Sequence, residues 1–463
     1  MSLPIARLTN GQGRINARPV GGIPNVRGVR MRRVPLTLIA LCAGAAASLP
    51  LASPASAAAP AVGSHVRGVA GSPAGPGAGA GALSPSTAGP ASAAHDVRTG
   101  PPGAAFYRPP ASLPRVHGTP IWMRVAPRNV RLSAGARTWL VLYRSTSLNG
   151  RAIAVSGSIS IPRGRPPRGG WPVVSYAHGT TGLAARCAPT RIPASATVNY
   201  VVPELNSWLR RGYAVVRTDY EGLGVPGGRF SYFIGHSEAR GVLDIVRAAR
   251  AIDPRISGRV VIAGHSQGGQ AALFAAADAP HWTPELRLRG VVAFAPSNHM
   301  AQGTRRILAD TEPSAASAAV AAIFASMGEY ASPPLTLRQV FTPRALALVP
   351  TLRTSCLAEL TVPTSPWAEL APADVLREGI ASELFGVLDA QNPALRIRVP
   401  VLLAYGLDDT SVRPGDVRLL IGELRARGDN VQARGYPGAD HTAVVTAAAH
   451  DTLVWLNARF RRR

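Results

Sequence analysis

From residue 101 onward, short apolar runs alternate with helix-like segments, and this alternation limits the fold more tightly than any other feature. Such a succession points to an α/β architecture, a mostly parallel sheet flanked by helices. Residues 138–143 and 152–161 read as two early strands joined by a turn at Asn149-Gly150. Residues 171–176 and 213–218 read as buried strands, and 238–252 as a helix with apolar residues at helical spacing. An apolar strand at 259–263 runs through a tight turn into an Ala-rich helix at 270–277. Strands at 290–295, 399–405 and 431–436 follow, and a helix over 442–459 closes the chain.

Between residues 296 and 398 the alternation stops, and the chain becomes Ala/Leu-rich and helical in character. Structureless loops longer than about 15 residues are uncommon in compact domains. The expectation is a helical cap inserted between two core strands, over the active site.

Residues 1–100 read differently. Met31-Arg32-Arg33 is a short basic start, 34–47 is apolar and uncharged, and Ala55-Ser56-Ala57 suits signal peptidase. Residues 31–57 therefore read as a secretory signal, and the chain as secreted or associated with the cell envelope. The apolar run is too short and too Ala/Gly-rich for a membrane span. Leu41 precedes Cys42 where a lipoprotein signal wants a small residue, which disfavours lipid anchoring. Residues 1–30, polar and carrying five arginines, read as an extension upstream of a true translation start at Met31. Residues 58–100 are an Ala/Gly/Pro/Ser tract that cannot bury enough apolar surface to fold. The folded domain is expected over 101–463.

The formal charge is +25, and every basic side chain other than histidine is arginine. Nine arginines against Asp96 place +8 of this in residues 1–100 and leave +17 for the rest. A basic surface suits contact with anionic lipid or an anionic cell envelope; a merely solvated, Arg-biased surface is the plainer alternative. The arginines are scattered and no recognition motif surrounds them, so nucleic acid is not an expected partner.

The chemistry sits on a few turns. Gly264-His265-Ser266-Gln267-Gly268 fits G-x-S-x-G, which needs a serine on a sharp strand-to-helix turn with glycines relieving the crowding. Here it follows an apolar strand and precedes an Ala-rich helix. A serine hydroxyl needs a base, and His441 follows the last strand. The other candidates fit less well. His178 and His265 lie in turns, His281 follows the nucleophile helix, and His450 lies within the final helix. The base needs a carboxylate to fix its tautomer. Asp408 and Asp409 both follow Gly406, and only one can face His441; hydrolases with this turn place the acid three residues after the glycine, which selects Asp409. Asp440, beside His441, reads as a loop or capping residue. Two N–H donors must hold the oxyanion. The Gln267 amide is one, and the Thr180 amide in His178-Gly179-Thr180-Thr181-Gly182 is the other. No metal or organic cofactor is required.

Several segments together resemble the secretory lipase family, the lipase A-like branch of the α/β-hydrolases. They are Phe106-Tyr107-Arg108-Pro109-Pro110, Ser175-Tyr176-Ala177-His178-Gly179-Thr180-Thr181-Gly182, Asp219-Tyr220-Glu221-Gly222-Leu223-Gly224 and Gly264-His265-Ser266-Gln267-Gly268-Gly269. The resemblance covers most of 101–463. It implies an α/β-hydrolase fold with a helical lid, and a secreted enzyme that cleaves carboxylic esters, often acylglycerols. The family's triad and oxyanion positions fall on Ser266, Asp409, His441, Thr180 and Gln267; Asp219 and Glu221 carry over as structural residues. The resemblance also implies a disulfide from Cys187, in Cys187-Ala188-Pro189, to Cys356 in the cap. Two free thiols are the alternative.

Three rivals share or imitate the fold. A peptidase or amidase would need acidic residues in the cap for the substrate's amino group, and Glu329, Glu359 and Glu369 are present. An acyltransferase would differ in excluding water. A non-catalytic envelope-binding protein would have no use for the triad residues.

Overall fold

The computed structural model describes residues 97–192, 199–227 and 231–461. The expected segments 1–30 and 31–57, and residues 58–96 of the low-complexity tract, lie outside the described residues.

The strands are β1 (Pro120–Val125), β2 (Arg137–Thr146), β3 (Ala152–Ile161), β4 (Trp171–Ala177), β5 (Ala214–Thr218), β6 (Ile256–His265), β7 (Arg287–Phe294), β8 (Val401–Gly406) and β9 (Val431–Tyr436). They form one sheet in the order β1-β2-β3-β5-β4-β6-β7-β8-β9. The β1–β2, β2–β3 and β3–β5 pairs are antiparallel, and every pair from β5–β4 to β8–β9 is parallel. The β2–β3 hairpin turns where Asn149-Gly150 stands, with Gly150 at φ 81°, a left-handed conformation that glycine adopts without a Cβ clash.

The parallel strands are near-continuous apolar runs because both sheet faces are covered. Successive side chains alternate between two cores. On one face Val173, Val260, Ile262, Val291 and Ala293 pack under the helices Gly235–Ile252 and Gln267–Trp282. On the other, Val174, Val261, Ala263, Val292 and Phe294 pack with Leu205, Trp208, Trp455 and Leu456. The sheet is thus buried from both sides, and the C-terminal ends of β4, β6, β8 and β9 open along one edge, where ligands bind in folds of this kind.

Three sequence expectations are corrected. β1 lies outside the expected strands: only Ile121 of its six residues is buried, so no apolar run announces it. The helix after Ser266 begins at Gln267 rather than 270, running through Gly268 and Gly269 despite their poor helix propensity. The closing segment is two helices, Ala443–Ala447 and Ala449–Arg461, meeting at Ala448.

Between β7 and β8 lie the helices Met300–Leu308, Ala315–Ala325, Pro343–Leu352 and Ala381–Asp389, with shorter turns between them. They share an apolar core of their own, including Ala318, Ala322, Phe341, Trp367, Leu384 and Leu388. Tyr232, Phe233 and Ile234 from the main body belong to that core too. A disulfide joins Cys187 to Cys356, with Cα atoms 5.4 Å apart and 169 residues between them in sequence. Among the described residues no helix is long and apolar enough to cross a membrane.

Candidate active site

β6 ends at His265 and the next helix starts at Gln267, so Ser266 alone turns the chain. It does so at φ 58°, ψ −120°, a strained conformation for a residue with a Cβ. The glycines explain how the turn closes. A Cβ on Gly264 would lie 2.0 Å from the Gly268 carbonyl oxygen, and one on Gly268 would lie 2.1 Å from the Ala177 carbonyl oxygen. Both positions exclude every side chain. The turn is pinned by the Ser266 N–H donating to Phe294 O at 2.9 Å and the Ser297 N–H donating to Ser266 O at 3.0 Å.

Residues far apart in sequence meet at this turn. His441 Nε2 is 2.9 Å from Ser266 Oγ, and His441 Nδ1 is 2.8 Å from Asp409 Oδ2. Asp409 is buried, and its other oxygen accepts the Ser411 and Val412 N–H groups, each at 2.8 Å. Its orientation is therefore set by backbone. Asp408, its neighbour, is exposed. Asp440 caps its own loop, accepting the Thr442 and Ala443 N–H groups at 2.9 and 2.8 Å.

Thr180 lies on the turn after β4, across from Ser266. The first N–H groups of a helix have no partner within it, and the Gln267 amide stands at the start of its helix. Among the described residues neither the Thr180 nor the Gln267 amide donates to a protein acceptor. The Thr180 turn is held by its neighbours. The Thr181 and Gly182 N–H groups both donate to the Tyr232 hydroxyl, at 2.5 and 3.0 Å. Leu357, next to the disulfide, donates its N–H to Thr181 O at 2.8 Å.

Two further histidines support the site without facing the serine. Burial pushes the His265 pKa down to about 3, so the ring is neutral. Its Nε2 is 2.7 Å from the His441 carbonyl, which can only accept, so Nε2 carries the proton. Nδ1 then accepts the Tyr200 hydroxyl at 2.5 Å. The residue before the serine thereby ties down the loop that carries His441. Burial pushes the His178 pKa down to about 4, and its ring stacks on Tyr220 with centroids 4.2 Å apart.

Above Ser266 lies a cavity of about 600 Å³, walled by Phe233, Ile307, Val320, Ile323, Phe324, Leu357 and Val412, with Thr180 and His441 at its polar end. Most of the apolar wall comes from the helices between β7 and β8. Among the described residues no three His, Cys, Asp or Glu side chains converge as a metal site would require.

The profile of the secretory lipase family matches residues 194–463, more than half of the sequence. The chain belongs to the secretory lipase family. Among relatives of the chain, lipase A of Moesziomyces aphidis is 27% identical over 197 residues; the match spans 40% of the chain and only 41% of that protein's length. A Mycobacterium tuberculosis protein named probable inactive lipase MT1628 is 24% identical over 380 residues, 77% of this chain and 81% of that one. Candida antarctica lipase A in its closed state superposes with TM-score 0.64 at 20% identity, covering 74% of this chain and 82% of that one. The rice cell wall degrading esterase LipA of Xanthomonas oryzae gives 0.60 at 20% identity, covering 74% and 98%. These likenesses carry the α/β-hydrolase fold.

Tyr232, Glu238 and the Tyr200–His265 link are absent from the sequence expectations. Glu238 has a signal in the sequence: it precedes Val242, Ile245, Ala249 and Ile252 on one stripe of its helix, and all of these are buried. A carboxylate heading an inward stripe needs a partner inside.

Proposed function

We propose that the protein is an exported serine hydrolase that cleaves carboxylic esters through an acyl-enzyme on Ser266. The observation that carries this is the unbroken chain Ser266 Oγ–His441–Asp409, with two free amides beside it, at the floor of an apolar cavity. Family membership alone is weaker support, since one relative is named a probable inactive lipase.

In the proposed reaction His441 Nε2 takes the Ser266 proton as Oγ attacks the ester carbonyl. The Thr180 and Gln267 amides receive the oxyanion, and Asp409 stabilises the imidazolium. His441 then returns the proton to the departing alcohol. Water, deprotonated by the same histidine, attacks the acyl-enzyme; the Oγ–acyl bond breaks, His441 returns the proton to Ser266 Oγ, and the acid leaves. The chain's own residues supply every proton transfer.

The cavity wall favours an ester with an apolar acyl group over a peptide with a charged amino terminus. Glu329, Glu359 and Glu369 do not line it. Glu359 instead pairs with Arg186 and accepts the Cys356 N–H at 2.7 Å. The Cys187–Cys356 disulfide supports an oxidising compartment, consistent with residues 31–57 acting as a signal and 296–398 as a covering cap. The net charge of +25 suits contact with an anionic envelope or lipid surface.

A fluorophosphonate should label the purified protein, and Ser266→Ala should abolish labelling and slow turnover of a nitrophenyl ester by about 10⁶-fold. An aminoacyl anilide should be a poor substrate in parallel. Labelling that survives Ser266→Ala, or a preference for the anilide, overturns the reading.

A further inference from the structure

Glu238 stands in the first turn of the helix Gly235–Ile252 and is fully buried, as is Gln267. The Gln267 side-chain amide donates from Nε2 to Glu238 Oε1 at 2.6 Å, and the Phe233 N–H donates to the same oxygen at 2.8 Å. The other two polar atoms of this pair, Glu238 Oε2 and Gln267 Oε1, are buried without a hydrogen-bond partner. Both are acceptors if the carboxyl is ionised, and two buried acceptors without donors are costly. One proton on Oε2 removes both deficits. A protonated Oε2, on the carboxyl that already accepts the Gln267 N–H, would be the donor that Gln267 Oε1 lacks, and the two bonds would close an acid–amide pair.

We propose that Glu238 is a neutral carboxylic acid that pairs doubly with the Gln267 side chain and so positions the Gln267 backbone N–H for the oxyanion. The proposal rests on the ester-hydrolase reading for what that N–H does. The same segment reaches the other donor. Tyr232, next to Phe233, accepts the Thr181 and Gly182 amides of the Thr180 turn. Residues 232–238 therefore hold two turns from different strands in register, while the Phe233 side chain lines the cavity. Glu238 touches no reacting atom and is a positioning residue.

The surroundings agree with a neutral acid. The phenols of Tyr220 and Tyr232 lie near enough for a charge on Glu238 to act on them, and burial raises both of their pKa values. Glu221 lies close by but accepts the Ser237 hydroxyl at 2.6 Å. Among the described residues Glu238 has no cationic partner. Burial pushes its pKa up to about 8. The folded value lies above the ordinary one of 4.5. The acid–amide pair is therefore intact at low pH and is lost as pH rises through about 8.

The test compares the wild type, E238Q and E238A on a nitrophenyl ester from neutral to alkaline pH. E238A should lower kcat by about 10- to 100-fold with little change in KM, as expected for a misplaced oxyanion donor. E238Q supplies an N–H where the acid supplied O–H. It should keep kcat within about threefold and lose the wild type's alkaline decline. E238Q as slow as E238A, or with an unchanged alkaline limb, overturns the proposal. An infrared measurement is independent of hydrolysis. The wild type at neutral pH should show the carbonyl band of a protonated carboxyl that E238Q lacks; its absence equally overturns the proposal. A wild type that hydrolyses no ester sinks the ester reading, and the infrared band still decides the state of Glu238.

Discussion

The turn at Ser266 and the helices that roof it are both buried and both mostly built from small residues, yet they are held in opposite ways. At the turn, backbone meets backbone: Gly264 lies under the Gly268 carbonyl, Gly268 against the Ala177 carbonyl, and Gly269 has no room for a Cβ beyond Pro296 Cα at 2.8 Å. In the roof, side chain meets side chain. The helix Ala315–Ala325 reads AASAAVAAIFA and packs on several neighbours at once. The turn leaves no freedom of identity at its glycines. The roof constrains only volume and polarity, which many sequences satisfy. Chemistry in this protein is therefore fixed by residues that cannot change, and the shape of the cavity by residues that can.

The sharpest way to break this contrast is to put a Cβ on the turn. Gly268→Ala would place a methyl group 2.1 Å from Ala177 O and 2.6 Å from His178 O, both backbone atoms that cannot swing aside. We expect a loss of at least about 3 kcal/mol in denaturant unfolding and turnover slowed by at least about 100-fold. An active, equally stable Gly268→Ala protein would show that the turn has slack. By contrast Ala318→Gly or Ala322→Ser in the roof should leave turnover of a short ester within a few-fold of the wild type.

The disulfide tests whether the roof depends on its tether. It closes a loop of 169 residues between the edge of the Thr180 turn and the roof. The chain-entropy model assigns such a link about 5 kcal/mol. Reduction, or the double change Cys187→Ser with Cys356→Ser, should lower the denaturant midpoint accordingly. If the roof is the looser body, fluorescence from Trp367, buried in its core, should change before the far-ultraviolet signal of the sheet. Coincident transitions would mean that roof and sheet unfold as one.

The same contrast explains what is legible in the sequence. Strand–helix alternation and the glycine turn can be read because parallel strands buried on both faces must be apolar throughout, and because a strained serine needs glycine neighbours. The expected last strand, 431–436, coincides with β9 to the residue. β1 is illegible, since an edge strand with one buried residue has no apolar signature. In the roof, Ala318, Ala319, Ala321, Ala322 and Ala325 are all buried, so the helix has no polar face to give it a period. The stripe that Glu238 heads is legible, but its partner is not, because Gln267 is 29 residues away and belongs to a different helix. Pairings of that kind exist only once the chain has folded.

The smallest expected effect, and the most informative about substrate, comes from Phe324. Its ring lines the cavity and meets Phe233 edge-on with centroids 5.1 Å apart. Phe324 also lines a groove of about 250 Å³ bordered by Arg306, Arg413 and Asp416. With Ile307 and Val412 it is among the residues that border both the apolar space and the charged one. Phe324→Ala should lengthen the apolar space, so longer acyl chains gain relative to short ones. A pocket that admits one or two more methylenes discriminates by about 1–3 kcal/mol, which bounds the shift in relative kcat/KM at about 10- to 100-fold. Removal of a half-buried ring should cost less stability than the glycine change. Phe324→Leu, which keeps most of the side-chain volume, should move the preference less in the same direction. If both variants lower kcat/KM equally for every chain length, Phe324 supports the site without measuring the acyl group. The chain-length limit must then lie deeper, at Val320 or Ile323.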